Sequence, residues 1–262
     1  MDLNTVLEVC DAREFQDWRT GDAWLGGGTY LFSEPQPHLR RFVDLSRTGW
    51  TPLRWLQGGA LEIAATCTVA DLFRFTDRPL FRECCNAFLA SFKIWNMATV
   101  GGNLCNSLPA GPMISLTAAL DGECMLRAQD GVLRWVPAAE FVTGAGENVL
   151  RAGELLRSVT LPAAALARRT AFRQASLYGL GRSGVLVIGT RDRSGAFAVT
   201  ITASTTRPIV LRFRLRPSET ELGTAIDQAV PEDVWFDDIH GLPQWRRHMT
   251  LRLAEEIRRE LA

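Results

Sequence analysis

Near the C-terminus, Trp245, Met249, Leu253 and Ile257 fall four residues apart, which gives a helix over Pro243–Leu261 one apolar face. Its other face mixes Glu255, Glu256, Arg258 and Arg259, the pattern of a helix packed on a core rather than one lying on a membrane. A second helix is expected near Ser218–Ala229. Earlier in the chain the apolar runs are shorter and are bounded by Gly, Pro and Asp. Ala23–Leu25, Leu39–Leu45 and the alternating Leu61–Ala65 read as strands. Thr68-Val69-Ala70-Asp71 has capping-box spacing, with Asp in place of the usual Glu, and predicts a short helix. Pro79–Ala90 reads as a helix, Ala98–Asn103 as a strand running into a loop, and Pro112–Leu120 as a buried helix or half-helix. Glu123–Ala128 and Val132–Val136 flank Gln129-Asp130-Gly131, a hairpin signal, and Pro137 suits the first turn of a helix. Glu154–Leu161 is a strand ending at Pro162. Thr170–Ser176, Val185–Arg191 and Ala196–Ala203 are strands, the last two joined by the turn Asp192-Arg193-Ser194-Gly195. Composition shifts at Pro162–Arg169, which reads as a linker. It divides the chain into 1–167, with subdomains of about 1–57 and 58–167, and 168–262.

The chain has 262 residues, enough for two domains with a sizeable core. Its 29 basic and 29 acidic residues cancel, so no net basic field for nucleic acid or an anionic membrane is present. Lys93 is the one lysine. The apolar runs fall far short of the ~20 residues a membrane helix needs. Met1-Asp2-Leu3-Asn4 does not begin a secretory signal, so a cytosolic (cytoplasmic) location is expected. The cysteines Cys10, Cys67, Cys84, Cys85, Cys105 and Cys124 form no C-x-x-C pair and read as small buried thiols. With His38, His240 and His248 scattered, no metal site is expected on this chain.

Two glycine-rich loops carry the chemistry. The first is Leu25-Gly26-Gly27-Gly28-Thr29-Tyr30-Leu31, and the second runs from Ala98-Thr99-Val100-Gly101-Gly102-Asn103 to Pro109-Ala110-Gly111. A dinucleotide brings a diphosphate that loses water on binding. Backbone N–H groups replace that water only where nothing blocks their approach. Consecutive glycines remove the Cβ atoms and permit φ > 0, so successive amides converge into an anion-binding nest. Thr29, Thr99 and Asn103 add side-chain donors. A third glycine run, Gly179-Leu180-Gly181-Arg182-Ser183-Gly184, spells G-x-G-x-x-G. The strand Val185–Ile188 follows it instead of a helix, so it is not a nicotinamide fingerprint. It reads as a glycine loop between strands that approaches a bound cofactor.

On these loops the sequence resembles the FAD-binding medium subunit of the molybdenum hydroxylases, the family of xanthine dehydrogenase and carbon monoxide dehydrogenase. Thr99-Val100-Gly101-Gly102-Asn103 followed by Pro109-Ala110-Gly111 is the most specific match, and Leu120-Asp121-Gly122-Glu123 follows at the family's spacing. Ala171-Phe172-Arg173-Gln174-Ala175-Ser176 resembles the start of the family's C-terminal flavoprotein domain, and Trp245-Arg246-Arg247-His248 its closing helix. The resemblance implies an α+β chain: a two-subdomain FAD-binding fold of the vanillyl-alcohol-oxidase (PCMH) type over 1–167, then an α+β CO-dehydrogenase-flavoprotein-like domain. It implies that Leu25 to Leu31 and Ala98 to Asn103 hold the diphosphate and ribityl chain. Leu89 and Leu156 then contact the rings, Asn106 stands where the family often has a small hydroxyl donor, and Arg173 where many members have a lysine near the flavin. Two departures stand out. Pro112 replaces an aspartate often found after Ala-Gly, and Leu177–Gly181 replaces a segment that often carries an arginine pair and acidic residues facing the flavin.

The implied function is electron transfer. FAD on this chain would take electrons from [2Fe–2S] clusters on a small partner subunit. A large molybdopterin subunit would oxidise an N-heterocycle or aldehyde, and NAD or another soluble acceptor would receive the electrons. No catalytic residue is assigned to this chain. Two alternatives stay open: a self-contained flavoprotein oxidase of the vanillyl-alcohol-oxidase type, and a non-enzymatic scaffold that has lost FAD.

Overall fold

The computed structural model describes residues 3–15 and 17–262. Three parallel strands come first, β1 (Glu8–Asp11), β2 (Asp22–Leu25) and β3 (Arg41–Asp44), in the order β1-β3-β2. Arg41 is 8% exposed and locks the sheet to its crossover, pairing with Asp22 at 2.6 Å and donating to Asp17 O at 2.6 Å.

A five-stranded antiparallel sheet follows, with Leu53–Trp55, Leu61–Ala64, Leu155–Leu161, Glu123–Arg127 and Leu133–Pro137 side by side in that order. Its first strands are β4 (Leu53–Trp55) and β5 (Leu61–Ala64). Five helices then intervene: α1 (Val69–Phe75), α2 (Pro79–Ala87), α3 (Phe92–Trp95), α4 (Val100–Asn106) and α5 (Pro112–Ala119). Then come β6 (Glu123–Arg127), β7 (Leu133–Pro137), α6 (Ala138–Phe141), the small pair β8 (Val142–Gly144) and β9 (Glu147–Asn148), and β10 (Leu155–Leu161). The capping box is as expected: Thr68 Oγ1 accepts from Asp71 N at 3.0 Å, and Asp71 Oδ2 accepts from Thr68 N at 3.4 Å. The hairpin is too, with Val132 N donating to Asp130 Oδ1 at 3.0 Å beside Gly131 at φ 85°.

Helix α4 corrects the sequence reading, which expected a strand entering a loop. Thr99 caps it by accepting from Gly102 N at 3.0 Å. Two glycines in a first turn argue against a helix, each costing about 1 kcal/mol relative to alanine. Tertiary packing overrides that cost: a Cβ on Gly101 would sit 2.4 Å from the Ala65 Cβ. The segment Pro162–Arg169, expected as a linker, carries a helical turn, α7 (Ala163–Leu166), with Ala165 and Leu166 in the core.

The C-terminal part is an antiparallel meander of β11 (Arg169–Ala175), β12 (Val185–Arg191), β13 (Phe197–Thr202) and β14 (Ile209–Phe213), backed by α8 (Glu219–Ala229) and α9 (Pro243–Glu260). Successive strand residues point to opposite faces. Leu186 and Ile188 join the core of the preceding part, whereas Val185 and Val187 pack with Leu253 and Ile257 of α9. Burial on both faces explains why β12 reads as one continuous apolar run. All eight residues of α5 are buried, and Ser115 of that helix meets Thr202 of β13, Oγ to Oγ1, at 2.7 Å.

Candidate functional site

A cleft of about 640 Å³ opens where the parallel sheet, the helices α2 to α5 and the β11–β12 loop converge. Its size suits a small-molecule or cofactor site. Both glycine loops reach it. Gly26, Gly27, Gly28, Thr29, Tyr30 and Leu31 come from the end of β2; Ala98, Thr99, Gly102 and Asn103 come from the start of α4; Asn106 closes that helix, and Leu89 stands at the mouth.

The loops interlock because they lack side chains. A Cβ on Gly26 would lie 3.0 Å from Thr99 Oγ1, and one on Gly27 would lie 1.6 Å from the Met97 carbonyl oxygen. Gly28 takes φ 70°, and a Cβ there would strike the Phe32 ring at 2.5 Å. The chain then turns back on itself, Phe32 N donating to Gly28 O at 2.8 Å and Ser33 N to Tyr30 O at 2.9 Å. Among the described residues, the amides from Gly26 to Leu31 donate no hydrogen bond within the chain. Backbone N–H groups that are neither paired nor shielded by side chains suit a bound anion.

The second loop supplies side-chain groups. Thr99 is 6% exposed, and its hydroxyl oxygen caps α4 while its proton remains to donate. Asn103 Oδ1 accepts from Met113 N at 3.1 Å, which fixes the side chain. Pro112 stands in the wall as the first residue of α5.

Five expected residues lie outside the wall. Leu25 remains within β2. Val100 is 1% exposed in the core, and Gly101 is pressed on Ala65. Leu156 is 1% exposed in β10 and faces the core. Arg173 is drawn to α9, pairing with Glu260 at 2.6 Å and Glu256 at 3.3 Å. Leu25, Val100, Gly101 and Arg173 rest on position in a motif and Leu156 on the resemblance alone, and neither says which way a side chain points.

Several wall residues were missed. Phe88 lines it just past the end of α2 and Ile94 from α3, Leu108 and Ala110 from the turn before α5, and Trp24 from β2. Cys105 lines it as well, and burial pushes its thiol up to about 12, which keeps it protonated near neutral pH. Leu180 and Arg182 enter from the glycine loop between β11 and β12, as that loop's sequence position suggested. Among the described residues the wall holds no carboxylate and no histidine, and Arg182 is its one formal charge. A smaller cleft of about 380 Å³ lies across Trp24, lined by Arg13, Trp50 and Arg127. No helix among the described residues is long and apolar enough to cross a membrane.

Comparison with known proteins bears on this geometry. Residues 16–164 match the family described as FAD binding domain in molybdopterin dehydrogenase. The putative xanthine dehydrogenase FAD-binding subunit XdhB of Escherichia coli (strain K12) is 31% identical over 147 residues, 53% of this chain and 49% of that one. Caffeine dehydrogenase subunit beta of Pseudomonas sp. (strain CBB1) is 34% identical over 92 residues, 35% of this chain and 30% of that one. The chain thus spans about half or less of the curated relatives it matches. Among solved structures, CO dehydrogenase from Oligotropha carboxidovorans superposes over 100% of both chains, with a TM-score of 0.80 and 20% identity. Quinoline 2-oxidoreductase from Pseudomonas putida 86 superposes with a TM-score of 0.76 and 19% identity, over 100% of this chain and 99% of that one. The expected α+β fold, PCMH-type followed by a CO-dehydrogenase-flavoprotein-like part, is the fold these structures share.

Proposed function

Because the chain belongs to the family of FAD-binding domains found in molybdopterin dehydrogenases, we propose that it is the FAD-dependent electron-transfer subunit of a molybdenum hydroxylase complex. In this reading its partners are a small subunit with [2Fe–2S] clusters and a large molybdopterin subunit that oxidises an N-heterocycle or aldehyde. NAD or another soluble acceptor receives the electrons, and the complex works in the cytoplasm. The division into 1–167 and 168–262 belongs to the same reading.

The observation that carries it is the row of unpaired amides from Gly26 to Leu31, held open by the contact of Gly27 with Met97 O. These amides bind the diphosphate, and the Thr99 hydroxyl and the Asn103 and Asn106 amides donate to it or to the adjoining ribityl chain. Leu89 and Leu108 offer the ring apolar surface in the wall. FAD, once bound, supplies a ring that accepts electrons singly or in pairs. A self-contained oxidase needs an acid–base group beside the flavin, and among the described residues this wall offers a protonated Cys105 and the Tyr30 phenol, with no carboxylate or histidine to activate either.

The test is FAD titration of the purified chain, followed by quenching of flavin fluorescence. One FAD per chain is expected, and a colourless protein indifferent to FAD overturns the assignment. Iron and molybdenum in the complex that co-purifies from the native source test the partner scheme separately.

A further inference from the structure

Trp24 is the one residue common to the walls of both clefts, the larger of about 640 Å³ and the smaller of about 380 Å³. Its half-buried ring therefore stands between them. One hydrogen bond holds it, from Nε1 to Glu154 O at 3.0 Å, together with two aromatic neighbours, Trp18 at 5.0 Å and Phe15 at 5.4 Å between ring centroids. Both neighbours belong to the crossover from β1 to β2, which among the described residues carries no helix or strand. Glu154 directly precedes β10, so the hydrogen bond is the ring's tie to the antiparallel sheet. The partition is latched by one bond and backed by a loop.

The amide row that suits a diphosphate begins two residues after Trp24, at Gly26. A dinucleotide carries a ring system at each end of its diphosphate and needs room on both sides of it. Away from Trp24 the large cleft runs on to Leu180 and Arg182 of the β11–β12 loop, which leaves space for one end. On the other side the indole shuts the way, and the smaller cleft lies behind it. That cleft offers a nucleoside aromatic surface from Phe15 and Trp50 and hydrogen-bonding groups from Thr48 and Gln129. Arg157 lies over the Trp50 ring, its Cζ 4.1 Å from the centroid, and steadies that wall.

We propose that Trp24 is a gate between the two clefts, and that the nucleoside end of bound FAD displaces its indole and enters the smaller cleft. This rests on reading the large cleft as the FAD site. Opening breaks the Trp24–Glu154 hydrogen bond, a cost that a side chain without the indole N–H does not carry. FMN ends at one phosphate and leaves the gate shut. Trp24 thereby sets how strongly the chain distinguishes the dinucleotide from the mononucleotide.

The test is titration of the purified full chain with FAD, ADP and FMN, for wild type, Trp24→Leu and Trp24→Phe. Indole N–H resonances of the isotope-labelled wild type are followed in parallel by NMR, that of Trp24 being the one absent from either variant. Trp24→Leu is expected to bind FAD and ADP about five- to tenfold more tightly than wild type, the gain from a hydrogen bond that no longer has to break, with FMN affinity unchanged. Trp24→Phe is expected to share the gain. In wild type, ADP is expected to move the Trp24 resonance and FMN to leave it in place. Weaker ADP binding by Trp24→Leu overturns the proposal, because the indole is then a fixed platform for the base. Equal affinities overturn it too, as does a Trp24 resonance that ADP leaves in place. A wild-type chain that takes up FAD but fails these tests loses the gate alone, whereas one that takes up no FAD loses the FAD reading as well.

Discussion

Gly27 approaches Met97 so closely that a Cβ on the glycine would stand 1.6 Å from the Met97 carbonyl oxygen. No rotamer relieves such a clash, because the obstacle is backbone. One loop or the other has to move, and both loops line the same cleft. Overpacking of this kind typically costs about 1–3 kcal/mol. Gly27→Ala is therefore expected to weaken FAD binding by about ten- to a hundredfold, since each 1.4 kcal/mol is a factor of ten. Gly131→Ala supplies the control: it has φ 85° but nothing within 4 Å of the added methyl and lies in the distant hairpin. Its backbone strain lowers stability and leaves FAD affinity unchanged. Equal FAD affinities for Gly27→Ala and wild type, by fluorescence titration, refute the account of the loop contact.

How much of this arrangement is legible in the sequence depends on the kind of force involved. Thr68 and Asp71 announce their helix because both halves of a capping box lie within one turn. Val185–Ile188 announces a strand because burial on two faces leaves an unbroken apolar run. The glycine loops are visible as composition, and their convergence on one cleft follows from the resemblance. Helix α4 is not legible, because Gly101 answers to Ala65, more than thirty residues away. Arg173 and Arg182 are both arginines in or beside strands. Only the tertiary fold sends the first to Glu256 and Glu260 and the second into the cleft.

Arg246 is the least exposed arginine of the C-terminal part, at 1%, and it ties together segments that reach the cleft. Its guanidinium donates to Gly241 O at 2.8 Å, Gly184 O at 2.5 Å and Ala203 O at 2.6 Å, and it pairs with Asp238. Arg246→Met keeps the aliphatic stem but leaves three carbonyls and a carboxylate without their donor. Removing one partner of a buried ion pair costs about 3–5 kcal/mol. The expected result is a loss of that order in urea unfolding. A loss below about 1 kcal/mol shows that water replaces the guanidinium and that the network is not a structural tie.

Glu154 makes the parallel sheet sensitive to acid. Hydrogen bonds from Arg134 at 2.6 and 2.8 Å, with a third from Arg151 N at 2.7 Å, hold its carboxyl down at about 2. Its backbone carbonyl accepts from Trp24 Nε1 at 3.0 Å, so the carboxylate cluster fixes a residue of the cleft wall. A carboxyl depressed in the folded chain stabilises it fully above its unfolded pKa, near 4.5, and loses that contribution as pH falls towards about 2. With Arg134 partly exposed, the contribution is discounted to about 2 kcal/mol at neutral pH. Glu154→Gln is therefore expected to be less stable than wild type by about that amount at pH 7, with the gap closing between pH 4.5 and 2. Urea unfolding of both proteins across this range reads the difference directly, and carboxylates common to both cancel. A gap that stays constant from pH 7 to pH 2 assigns the loss to altered packing instead of to the ionised carboxylate.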